Sequence, residues 1–170
     1  MKKNTPLHIY GVSALSPQSG DWNVITASGY QVALKESLNG GDTGVINMSL
    51  YEIEEFESDK DFLAHVIKQR ASAPDVGRFE LQQNSEKLLP LNTATCVKHE
   101  TISQDNNAKI KGNKSAVMLI EYIGYNCIHP NKKSVGIHME YSLRHFIDNK
   151  YPGLNKKADG FFSNVKFSAF

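Results

Sequence analysis

Trp22, Val24 and Thr26 alternate with Asn23 and Ile25, Ala27-Ser28-Gly29 offers a turn, and Tyr30, Val32 and Leu34 resume the alternation. A period of two on either side of a small-residue break predicts a hairpin. Asn39-Gly40-Gly41-Asp42 breaks the pattern. From Val45 to Ile53 the alternation returns. Ile46, Met48 and Leu50 share one face, which reads as the core face, and Val45, Asn47, Ser49 and Tyr51 share the other.

The period then changes. Phe62, Leu63, Val66 and Ile67 make one helical stripe. Ser58 and Asp61 have the spacing of a capping box, and Asp59 and Asp61 suit the positive end of the helix dipole. Glu52, Glu54, Glu55 and Glu57 lead into this helix as a solvated acidic stretch. Pro74 stops it near Ser72.

Strand-like segments follow at Arg78 to Gln83, Thr93 to Ser103, Ala116 to Ile128 and Val135 to Leu143, with a polar turn region from Asp105 to Lys114. Pro152-Gly153 breaks the chain, and Ala158 to Val165 predicts a short terminal helix. Short links require antiparallel neighbours, because a parallel crossover needs a dozen residues or more. The expected fold class is therefore α+β, a mostly antiparallel sheet of about six strands flanked by helices. Residues 1–20 hold two prolines, two glycines and several serines and read as an irregular arm, and 21–170 as a single domain.

Composition narrows the function classes. The 170 residues carry 19 basic and 18 acidic side chains, a formal net charge of +1. The lysines are scattered, so a nucleic-acid partner is not expected. No apolar run approaches the ~20 residues that cross a bilayer. The first residues are too polar for a signal-peptide core. The protein is therefore expected in the periplasm or cell envelope if a signal was removed upstream, and otherwise in the cytoplasm. A protein partner is compatible with the sequence, and no cofactor is implied.

Cys96 and Cys127 are the two cysteines. A hairpin folded near Ile110 to Gly112 sets them opposite each other, where facing Cβ atoms lie close enough for a modest adjustment to allow bonding. Three readings stay open: a disulfide formed outside the cytoplasm, two buried thiols, and a zinc site completed by His99 and His129. Strand geometry opposes the last, since Cys96 and His99, three residues apart, point to opposite faces.

No HExxH, GxSxG, Walker or GxGxxG motif is present. Polar chemistry concentrates in Tyr125-Asn126-Cys127-Ile128-His129-Pro130 and in His138 to His145. His138, Glu140 and Ser142 share one strand face, and Tyr141 and Leu143 the other. A His, a Glu and a Ser on one face are components of proton transfer or nucleophilic attack, while polar alternation is also routine on an exposed antiparallel face. The candidate binding residues are His129, His138, Glu140, Tyr141, Ser142 and Arg144.

The Tyr-Asn-Cys-x-His-Pro turn and Tyr-Ser-x-Arg strand between Gly124 and Arg144 resemble small proteobacterial exported proteins and lipoproteins of unassigned function. The element order over 22–168 also resembles the Mog1/PsbP-like α/β/α sandwich. The resemblance implies an exported location and a Cys96–Cys127 bond, and no catalytic residue. Three functions compete: an exported non-enzymatic binding or accessory domain, an enzyme using His138, Glu140, Ser142 and Arg144 around a pocket, and a cytosolic protein-interaction module of the Mog1 type.

Overall fold

The period-two segments pair into one large antiparallel sheet. We describe it from a computed structural model, which defines residues 1–71, 77–110 and 114–170. The strands of this sheet are β3 (Trp22–Ala27), β4 (Gln31–Ser37), β5 (Thr43–Glu52), β6 (Phe79–Leu88), β7 (Cys96–Lys109), β8 (Ser115–His129) and β9 (Lys132–Phe146). They lie in the order β3-β4-β5-β9-β8-β7-β6. A second, three-stranded sheet joins β1 (Pro6–Ile9), β2 (Val12–Leu15) and β10 (Lys166–Phe167) in the order β1-β2-β10. Two α-helices complete the described chain, α1 (Asp59–Ala71) and α2 (Leu154–Phe162).

Strict alternation gives the large sheet two unlike faces. On one, Leu34, Ile46, Met48, Ile137 and Met139 are fully buried. The small sheet and α2 cover them, through Leu7, Ile9, Val12, Ala158, Phe161 and Phe162. The hydrogen bonds Ser168 N to Gly11 O (3.0 Å) and His129 Nε2 to Gly11 O (3.1 Å) hold this cover in place. A buried carboxylate pins the sheet's other end. Asp42 accepts from Phe146 N (3.0 Å), Asn149 Nδ2 (2.6 Å) and Tyr151 Oη (2.6 Å). The opposite face is polar, and α1 covers only one end of it, where Phe62 and Val66 pack on Val97.

The helix-flanked six-stranded sandwich is thus corrected. The protein is mostly β: a seven-stranded sheet covered on one face by a second sheet and one helix, and on the other by a single helix over one end. The segment 1–20 is not an irregular arm throughout. Pro6 and Gly11 mark the start and turn of a hairpin, with Leu7, Ile9, Val12 and Ala14 buried. Gly11 adopts φ +69°, a conformation that glycine takes at no steric cost.

The structure shows the hairpin of 22–34, the two faces of β5 and the Ser58 cap. Ser58 Oγ accepts from Asp61 N at 3.3 Å. Three strands run longer than their apolar pattern. β6 continues through Asn84-Ser85-Glu86-Lys87, β7 continues to Lys109 past a bulge between Asp105 and Ala108, and β9 spans Lys132 to Phe146. Ladder hydrogen bonding carries polar residues that periodicity excludes. α2 starts at Leu154, four residues before the expected start. The Pro74 stop and the turn centre at Lys111-Gly112 lie outside the described residues.

Candidate functional site

Residue pairing decides which side chains meet on the polar face. Ser49 pairs with His138 and Asn47 with Glu140. Across β8, Asn126 pairs with His138 and Tyr122 with Ser142. Across β7 and β6, Thr101 pairs with Tyr122, Asn84 with Thr101 and Glu86 with His99. All these side chains therefore rise from the same face. With the C-terminal half of α1 as one wall, Ser49, Asn84, Thr101, Tyr122, Asn126, His138 and Glu140 of this face line a cleft of about 710 Å³, within the ~300–1,000 Å³ common for small-molecule sites.

The wall is held by a closed hydrogen-bond ring. Arg70 Nε donates to Glu86 Oε1 (3.2 Å) and Arg70 Nη2 to Thr101 Oγ1 (2.6 Å). Thr101 donates to Asn84 Oδ1 (2.7 Å), and Asn84 Nδ2 returns to Glu86 Oε1 (2.7 Å). Arginine and glutamate are thus spent on each other, which ties α1 to β6 and β7 and leaves neither charge without a counter-ion.

The floor is less satisfied. His99 is fully buried, and neither of its ring nitrogens has a hydrogen-bond partner. Its ring is stacked on His138, centroids 5.9 Å apart and planes within 5°. Gly124 makes room for it, since a Cβ there would stand 2.6 Å from His99 Nε2. Burial, then the charge of Arg70 and then His138, push its pKa down to about 2, so the imidazole stays neutral. His138 Nδ1 lies 3.1 Å from Asn126 Oδ1, and Nε2 lies 3.6 Å from Glu140 Oε2. Tyr51 lies over Gly136, and its hydroxyl is buried without a partner. Desolvation raises the Tyr51 pKa to about 12, so it remains a neutral phenol. Tyr122 is likewise raised to about 12, first by burial and then by the Glu140 charge.

The sequence-derived candidates separate. His138 and Glu140 line the cleft. Ser142 shares their face but is not among its lining residues, and Arg144 turns to the far end, 3.8 Å from the Asp105 carboxylate. There Arg78 grips Asp105 through two 2.9 Å bonds and holds its pKa below the usual range. Tyr141 sits on the apolar face, buried edge-on against Trp22 at 5.7 Å, and is a core residue. His129 is fully buried, with Nε2 at Gly11 O and Nδ1 accepting from Asn131 N (3.2 Å); it is a structural staple. Cys96 and Cys127 pair in register with their sulfurs at disulfide distance and, among the described residues, away from any zinc-like cluster. Among the described residues no three His, Cys, Asp or Glu side chains converge for a metal ion.

The sequence does not single out Tyr51, Asn84, Thr101 or Tyr122, and it marks His99 only as a possible zinc ligand beside Cys96. Parity along β5 does place Tyr51 with Ser49. Register against His138 adds Asn126 and Tyr122 once the β8–β9 pairing is known. Nothing in the polar run of β6 marks Asn84 or Glu86 in advance.

No protein-family model matches the chain, and no curated protein does either. A solved structure from Bacteroides thetaiotaomicron VPI-5482 is similar in fold, with a TM-score of 0.51 and 12% identity. The match covers 98% of this chain and 48% of that one, so this chain spans about half the length of its structural neighbour. At that identity the likeness concerns the fold alone. The class defined by fold and site is a mostly-β domain with one sealed sheet face and one face opened as a polar cleft.

Proposed function

We propose that the protein is an exported, non-enzymatic binding domain whose recognition surface is the cleft between α1 and the polar sheet face. One observation carries this reading. The cleft is walled by polar groups locked to one another, yet it keeps the Tyr51 hydroxyl buried and unpartnered. A rigid, preorganised wall with an unsatisfied group is what recognition of a small molecule requires. Covalent catalysis needs a nucleophile beside a base. Among the described residues no hydroxyl or thiol donates to a cleft histidine, and Ser142 and Arg144 do not join His138 there. Export is supported by the Cys96–Cys127 bond, since such bonds persist in oxidising compartments.

The test is a thermal-shift screen of chemically mixed small molecules against the wild type and Ser103→Trp, whose indole fills the cleft. The expected result is a ligand that raises the wild-type melting temperature, leaves Ser103→Trp unshifted and is recovered unchanged by mass spectrometry. A chemically altered ligand would establish the His138–Glu140 enzyme instead. Equal shifts in both proteins, or none, would end the cleft reading.

A further inference from the structure

One unsatisfied group belongs to the cleft lining itself. The Tyr51 hydroxyl both donates and accepts, whereas the orphan nitrogens of the neutral His99 are sealed behind His138 and face no ligand. Leaving such a group buried and unpaired is unfavourable, so a partner that can donate and accept together is favoured. Hydroxyl groups have that property, whereas a carboxylate or phosphate only accepts and an ammonium only donates.

The charges point the same way. Arg70 is neutralised by Glu86 at 3.2 Å, so an anion finds no unpaired cation there. Glu140 faces His138 at 3.6 Å, and the two carboxylates in the lining oppose an anionic ligand. The lining also carries Phe79, Leu81 and Ile67, the last two well exposed. These suit a ligand with apolar C–H faces as well as polar edges.

Resting on the binding reading above, we infer that the ligand is a neutral, polyhydroxylated molecule, a saccharide, held by the Tyr51 hydroxyl over the Tyr122–Asn126 floor with its C–H face against Phe79 and Leu81. His99 is a positioning residue. It lies behind His138 and fixes that ring by stacking.

The experiment titrates the full, disulfide-bonded chain by calorimetry with maltose, cellobiose and diacetylchitobiose. Digalacturonate serves as the anionic probe and spermidine as the cationic one. At least one neutral disaccharide should bind, with affinity unchanged between low and high salt. Tyr51→Phe, which keeps the ring over Gly136, should weaken that binding about tenfold without lowering the melting temperature. Equal affinity in Tyr51→Phe would overturn the assignment. Binding of only digalacturonate or spermidine would overturn the ligand class and leave the cleft reading standing. If no disaccharide binds and the mixed screen also fails, both readings fall together.

Discussion

The two faces of the seven-stranded sheet come from the same strands, residue by alternate residue, yet they are built on opposite terms. The face under β1, β2, β10 and α2 is closed by Trp22, Ile46, Met139 and Phe162, all 2% exposed or less. The face beside α1 keeps Asn47, Ser49, Thr101, Asn126 and Glu140 around open volume. Burial of apolar area favours folding by about 25 cal/mol per Å², so the first face supplies stability. That reserve lets the second tolerate an unpaired tyrosine and an unpaired histidine. A sealed apolar face and an open polar one are thus separated by the pleat, not by a domain boundary.

The sharpest way to break the comparison is to truncate matched side chains on each face. Phe162→Ala removes a ring packed edge-on against Tyr125 at 5.0 Å and should cost about 3–5 kcal/mol. Leu81→Ala on the cleft face, 61% exposed in the wild type, should stay within about 0.5 kcal/mol. Urea denaturation of both variants checks the contrast, and similar losses would refute it. Next in size is the disulfide, which closes a loop of sequence separation 31. Replacing both cysteines by serine should lower stability by about 3–4 kcal/mol, measured by the same transition.

A smaller effect belongs to His99 and depends on pH. Burial pushes its folded pKa down to about 2, from the 6.5 of a free imidazole. Between those values the unfolded chain binds the proton that the folded one refuses. Stability is therefore full above pH ~6.5 and is lost as pH falls, at up to ~1.4 kcal/mol per pH unit. At pH 5 the loss is on the order of 2 kcal/mol. His99→Leu removes both orphan nitrogens, so it should flatten the decline between pH 7 and 5, read from melting temperatures. An unchanged slope would show that His99 is hydrated and not sealed.

Much of the apolar face was legible in the sequence. Ile46, Met48 and Leu50 fell on the core side of β5, and the symmetric turn placed Cys96 opposite Cys127. Both follow from counting, because the strand period is two and register propagates from a turn. The covering layer was not legible. Pro6, Gly11 and the short Lys166-Phe167 strand look like loop, and their pairing is set by long-range hydrogen bonds that no local pattern encodes. The cleft was half legible. His138 and Glu140 share a parity that identifies their face, but Tyr51 joins them through the β5–β9 pairing, and Thr101 and Asn84 only through the successive β8, β7 and β6 pairings. Tyr141 and His129 misled for a physical reason. A polar tip says nothing of burial when an aromatic partner or a backbone carbonyl can satisfy it.

The order in which the cover is synthesised carries a further implication. Strands β3 to β9 all precede α2 and β10, the two segments that close the apolar face alongside the first hairpin. A growing chain therefore leaves Ile137 and Met139 without their cover until α2 and β10 have emerged. Closure of the apolar face thus depends on contacts between segments far apart in the sequence, the kind that form slowly.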